Sequence, residues 1–170
     1  MEKDSLIILV AVVGLVAVSA FLGEMGITGK AVEHNTKFYN IEAAKLREKG
    51  VYSLDGVDFS LLSSESKTIN GVMLSHISTL SSGVRFELSG ACTNAYTLDV
   101  IYYGTDSSEE ELAGFKVEID GKDYGQFSLK EGESKALADK SKITLLTARR
   151  GVLGNDLDEK IGANFELACN

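Results

Sequence analysis

From Val51 onward the chain alternates apolar and polar residues, and a period of two admits little except half-buried antiparallel strand. Val57-Asp58-Phe59-Ser60-Leu61, Val84-Arg85-Phe86-Glu87-Leu88 and Phe115-Lys116-Val117-Glu118-Ile119 each send one set of side chains to a core and the other to water. Tyr96-Thr97-Leu98-Asp99-Val100-Ile101-Tyr102-Tyr103 is apolar on both faces near its end, as a central strand is. Asp120-Gly121 follows one of these runs directly and suits the positive φ angles of a type I′ hairpin turn, so a return strand through Tyr124, Phe127 and Leu129 is expected. Lys142-Ile143-Thr144-Leu145-Leu146 and Ala163-Asn164-Phe165-Glu166-Leu167 extend the set to about seven to nine short strands. The expected fold class is all-β, mainly antiparallel, as either a β-sandwich or a small barrel. Proline is absent, so turns must rest on Gly, Asp, Asn and Ser.

Two stretches echo one another. Leu46-Arg47-Glu48-Lys49-Gly50, Leu54-Asp55 and Phe59-Ser60-Leu61-Leu62 resemble Leu129-Lys130-Glu131-Gly132, Leu137, Asp139 and Ile143-Thr144-Leu145-Leu146. Phe86-Glu87-Leu88 with Cys92 resembles Phe165-Glu166-Leu167-Ala168-Cys169. The common order of the two blocks points to a duplicated β unit, against the alternative that alternating strands simply look alike.

Ahead of the strands stands a different kind of segment. Residues 6–22, bounded by Leu6 and Leu22, carry no charge or amide and are apolar around the whole helical circumference. As a helix they span roughly 25 Å, slightly short of a hydrocarbon core of about 30 Å. Two fates are open: a retained transmembrane anchor, or a secretory signal cleaved after Ala20 at Val18-Ser19-Ala20. The acidic neighbours of Lys3, Glu2 and Asp4, weaken the second. Residues 1–30 thus form an anchor or signal with an N-terminal hydrophobic helix. Residues 31–50 are a linker or stalk, read as a helix capped by Asn35 and stopped by Gly50 or as extended chain, and residues 51–170 form the β domain.

Export sets the terms for the cysteines. Cys92 and Cys169 are the only two, and an even pair in an oxidising compartment predicts a disulfide worth about 4 kcal/mol in the loop-entropy model. The alternative is two buried thiols. The chain's 17 basic and 25 acidic residues give a net charge of −8. Such a charge repels phosphate backbones, which excludes nucleic acid as an expected partner.

Candidate sites are sparse. Clustered carboxylates that would suit Ca²⁺ occur at Asp106, Glu109 and Glu110 and at Asp156, Asp158 and Glu159, although neither group has EF-hand spacing. Ser107 with Glu110 also has capping-box spacing, which explains the first group by structure alone. Arg149 and Arg150, the one adjacent pair of arginines, are placed in a loop as an anion contact. His34 and His76 lack partners at metal-ligand spacing, and no nucleophile, zinc or phosphate-loop motif is present.

The expected function is therefore that of a membrane-anchored or secreted extracytoplasmic module with no catalytic role. It would meet the lipid bilayer through residues 6–22, and other copies or surface proteins through its β domain, as a layer or filament subunit. Residues 32–41 are the natural segment for donating a strand to a neighbour. Rival readings are a ligand- or Ca²⁺-binding receptor domain and a small carbohydrate-active enzyme, which needs only two acids.

Overall fold

A computed structural model describes residues 36–103, 112–152 and 159–170, without the side chains of residues 103, 149–152 and 159–161. The described chain forms twelve strands: β1 (Lys37–Leu46), β2 (Lys49–Leu54), β3 (Val57–Leu61), β4 (Ser66–Ile69), β5 (Val72–Leu80), β6 (Gly83–Ser89), β7 (Tyr96–Tyr103), β8 (Leu112–Ile119), β9 (Lys122–Lys130), β10 (Ser134–Ala136), β11 (Lys142–Val152) and β12 (Glu159–Cys169). They make two six-stranded antiparallel sheets, sheet A in the order β10-β11-β12-β1-β2-β3 and sheet B in the order β4-β5-β6-β7-β8-β9. The inner faces meet in one hydrophobic cluster, where Ile41, Leu54 and Phe165 of sheet A and Phe86, Leu98 and Phe115 of sheet B are shut off from solvent. The all-β class is as expected, and of the two forms expected, sandwich or small barrel, the chain takes the sandwich. The hydrophobic segment from Leu6 to Leu22 lies outside the described residues.

The largest correction concerns residues 36–49; Asn35, the expected helix cap, lies outside the described residues. Glu42-Ala43-Ala44-Lys45-Leu46 has strong helical propensity, yet these residues belong to β1, with Ile41 facing Leu54 on one side and Phe165 on the other. Tyr39, Ile41 and Ala43 turn inward two residues apart, so the same letters satisfy a strand once both neighbours are in place. Residues 37–50 are consequently part of the domain and not a stalk. Nor can β1 donate an edge to another molecule, because both its edges are already paired.

The two sheets share one plan. Adding six to each strand number of sheet A, counting past β12 back to β1, reproduces the order of sheet B. Local geometry repeats with it. Tyr52 and Phe59 lie tilted with ring centres 5.7 Å apart while Tyr52 meets Phe86 edge-on at 5.3 Å; Phe115 and Phe127 stack at 5.7 Å while Phe115 meets Phe165 edge-on at 5.3 Å. A Cβ on Gly83 would strike the Val100 carbonyl, and one on Gly162 would strike the Ala43 carbonyl. Bulges fall at matching places, after His76 in β5 and after Leu145 in β11.

The connections repeat as well. Asp55 and Asp120 take φ 49° before Gly56 and Gly121, and each carboxylate accepts an N–H, from Asn40 or from Ala95. Between β3 and β4 the Glu65 carboxylate accepts from Leu62 N–H at 2.7 Å, and between β9 and β10 Glu133 accepts from Lys130 N–H at 2.9 Å. Ser66 then bonds Ser75, and Ser134 bonds Thr144, both at 2.9 Å.

This register keeps one of the two sequence echoes and replaces the other. Phe86-Glu87-Leu88 and Phe165-Glu166-Leu167 occupy β6 and β12, which correspond. Residues 46–62 and 129–146 do not, since β2 and β3 sit at one edge of sheet A and β10 and β11 at its other edge. The counterparts that the topology pairs are Tyr39-Asn40-Ile41-Glu42-Ala43 with Tyr96-Thr97-Leu98-Asp99-Val100, Phe59-Ser60-Leu61 with Phe127-Ser128-Leu129, and Glu65-Ser66-Lys67 with Glu133-Ser134-Lys135.

Candidate functional site

Packing two sheets face to face leaves the connections between strands to be tied down, and some of the polar groups of this domain do so. Cys92, in the connection after β6, stands at disulfide distance from Cys169, the last residue of β12, with Cα atoms 5.3 Å apart. The bridge joins sheet B to sheet A, and the cysteines stand at the ends of corresponding strands, Cys92 just after β6 and Cys169 closing β12.

Close to it in sequence, Asn94 and Tyr96 reach from the start of β7 to Asp139 in the connection between β10 and β11. Asn94 Nδ2 donates to Asp139 Oδ2 at 3.1 Å, the Tyr96 hydroxyl donates to the same oxygen, and Ser141 donates to Oδ1 through its N–H at 3.0 Å and its hydroxyl at 2.5 Å. Burial would raise the Asp139 carboxyl, but the donors from Ser141, Tyr96 and Asn94 outweigh it and hold the group below the usual carboxylate range. Burial, with Asp139 beside it, pushes the Tyr96 phenol up.

A third polar junction lies in the core. The Tyr52 hydroxyl of β2 meets Nδ1 of His76 in β5 at 2.6 Å, with both residues 1% exposed. Burial pushes the phenol up and the imidazole down, favouring the neutral form of each. Nε2 of His76 is buried with no hydrogen-bond partner among the described residues. In the corresponding places of the other half stand Phe115 and Leu145. A histidine that reads as isolated along the chain is therefore joined to a tyrosine 24 residues away. The signal available in the sequence was the repeat itself: aligned correctly, it sets His76 and Tyr52 against apolar counterparts.

On the outer face of sheet B a chain of charges crosses four strands. Arg85 lies 2.6 Å from Glu118 and 3.5 Å from Asp99, and Lys116 lies 3.6 Å from Glu118 and 3.4 Å from Asp123. Burial raises the Asp99 carboxyl against the opposing pull of Arg85 and Lys116.

No family model, curated protein or solved structure matches this chain.

Of the residues singled out from sequence, the structure brings Cys92 and Cys169 together. Asp106, Glu109, Glu110, Asp156 and Asp158 lie outside the described residues, and Glu159 is described only as the first residue of β12, facing Val152. Arg149 and Arg150 are not in a loop: they continue β11, opposite Gly162 and Ile161, because the strand runs on well past Leu146. Among the described residues, no three His, Cys, Asp or Glu side chains converge as a metal site. Three of these junctions join one sheet to the other, by a covalent bond, a saturated carboxylate and a buried hydroxyl–imidazole bond, while the charge chain ties strands within sheet B.

Proposed function

We propose that this chain is an extracytoplasmic structural or interaction module, carried across a membrane by residues 6–22 and either retained there or released by cleavage after Ala20. The observation that carries the reading is the pairing of Cys92 with Cys169. Such a bond persists where thiols are not continually reduced, which is the compartment that the apolar N-terminal segment addresses. The domain is one β unit used twice, and the bridge joins the matching ends of the two copies.

Its contacts with other copies or with surface proteins run through sheet faces more than strand edges. The edge strands β4 and β10 have four and three residues, and edge strand β9 is bulged and bears Lys122, Asp123 and Lys130, all features that discourage sheet extension. Phe38, 58% exposed, offers an apolar contact outside the core. The role is binding and support, with no catalytic step.

Membrane fractionation and intact mass of the protein recovered from cells test this. The expected result is a membrane-bound full chain, or a released chain beginning at Phe21, that gains two hydrogens on reduction. Free thiols in protein kept in the soluble cytosolic fraction would sink the proposal. Sedimentation of the intact protein across a concentration range then reports whether copies associate.

A further inference from the structure

We propose that the His76–Tyr52 pair is an acid-sensitive latch between the two sheets: the neutral imidazole holds β5 to β2, and its protonation frees the β4–β5 edge of the domain. The molecule supplies its own control. In the other half, Phe115 and Leu145 fill the same positions, and Phe115 keeps the same ring-centre spacings, 5.7 Å to Phe127 and 5.3 Å to Phe165, that Tyr52 keeps to Phe59 and Phe86. An apolar pair therefore builds this part of the fold, and the polar pair adds a dependence on protonation that packing does not require.

The neutral pair leaves one polar group unmatched whichever partner holds the shared proton. If the hydroxyl donates to Nδ1, the hydrogen sits on Nε2, which has no acceptor among the described residues. A second proton on the ring makes both nitrogens donors, turns the hydroxyl hydrogen away from Nδ1 and sets a positive charge in the core.

The surrounding groups give that charge little relief. From β2 the ring meets Tyr52. The Glu65 carboxylate, ahead of β4, is occupied by Leu62 N–H, while its backbone carbonyl takes His76 N–H. Lys67 of β4 is exposed. Arg85 and Glu87 of β6 alternate with the inward Phe86, and Arg85 is engaged with Glu118. From β1, the Lys45 ammonium donates to the carbonyls of Leu80 and Ser81. Backbone bonds from Ser64 N–H to the His76 carbonyl and from His76 N–H to the Glu65 carbonyl anchor the four-residue edge strand β4 beside the same residue. Loosening β5 at His76 thus loosens that edge.

The sign follows from the depressed imidazole. The unfolded or opened chain binds the proton more readily than the closed one, so closure is complete above about pH 6.5 and weakens as pH falls. The change is up to tenfold per pH unit until the closed form itself is protonated.

Amide hydrogen exchange on the intact chain from pH 7 to 5, corrected for intrinsic rates, compares His76 N–H with Leu145 N–H, which makes the equivalent bond to Glu133. Protection at His76 should fall by as much as tenfold per pH unit while that at Leu145 holds. Equal behaviour of the two amides would overturn the latch. His76→Gln keeps an acceptor for Tyr52 without titrating in this range, and Tyr52→Phe with His76→Leu reproduces the residues of the other half. Both should abolish the difference, and its persistence in either would also overturn the proposal. If the double variant does not fold, His76→Gln and the imidazole titration of the unaltered protein decide. A ring that titrates at an ordinary value, with protection unchanged, refutes the latch.

Discussion

Residues 37–89 and 96–169 build the same six-strand plan with different polar fittings. In both, paired aromatic rings, a glycine against a neighbouring carbonyl, an Asp-Gly turn and a Glu-capped connection recur in the same places. The first half then inserts Tyr52 and His76 between the sheets, and it places Arg85 on an outer face where the second half has Asn164. The second half alone closes its β10–β11 connection around Asp139; its counterpart between β4 and β5 is the tight Asn70-Gly71 turn. The shared apolar frame determines the architecture, and the polar features are local additions to it.

The strongest way to break that comparison is to cut the frame in each half in turn. Phe86→Ala and Phe165→Ala remove rings that are fully buried and meet their partners at the same 5.3 Å. Each should lower the free energy of unfolding by about 3 to 5 kcal/mol. Denaturant midpoints should show the two losses agreeing to within about 1 kcal/mol, and a much larger gap would mean that the halves do not share the core equally. Next in size is the bridge between them. Replacing Cys92 and Cys169 together by Ser reopens a separation of 77 residues and should cost about 2 to 4 kcal/mol in thermal or chemical unfolding of the oxidised form against the variant.

How far these features could be read from sequence depended on what fixes them. Strands whose alternation is local, such as β3, β6, β7 and β8, are set by side-chain period and were expected at nearly their observed bounds. β1 was not, because Glu-Ala-Ala-Lys is equally a helix until Leu54 and Phe165 pair across it from distant parts of the chain. β4 and β10 are too short to show a period at all. The true repeat was partly hidden by insertions: Asp58 and Phe59 are adjacent in β3, whereas Tyr124, Gly125 and Gln126 separate Asp123 from Phe127 in β9. The cysteine pair was readable because two cysteines allow one pairing. The Tyr52–His76 bond was not, since nothing local joins those residues.

Asp139 sharpens the comparison at a smaller scale, as a junction with no counterpart. Asp139→Asn puts an amide nitrogen among donors from Asn94, Tyr96 and Ser141 and should cost about 1 to 3 kcal/mol. Because the folded carboxyl lies below its unfolded value of about 3.9, its contribution is complete above that pH and is lost as pH falls through the folded value. Unfolding followed from pH 5 to 2 should therefore show a shallower acid limb in the variant. Destabilisation at pH 5 with an unchanged limb would assign Asp139 a steric role only.

The smallest effect separates two turns that begin alike. Asp55-Gly56-Val57-Asp58 and Asp120-Gly121-Lys122-Asp123 both open a return strand, but the insertion after Asp123 brings Gly125 N–H to 2.6 Å from its carboxylate. That hydrogen bond comes first among the causes that lower the Asp123 carboxyl, ahead of the attraction of Lys116. A hydrogen bond within a turn is little affected by dissolved ions, whereas a solvent-facing ion pair is screened. Raising salt, or replacing Lys116 by Met, should therefore move the Asp123 titration, read by carboxyl chemical shift, only part of the way to an ordinary value. Complete recovery in either condition would transfer the shift from the inserted turn to the charge network, and the difference between the two hairpins would then be electrostatic instead of conformational.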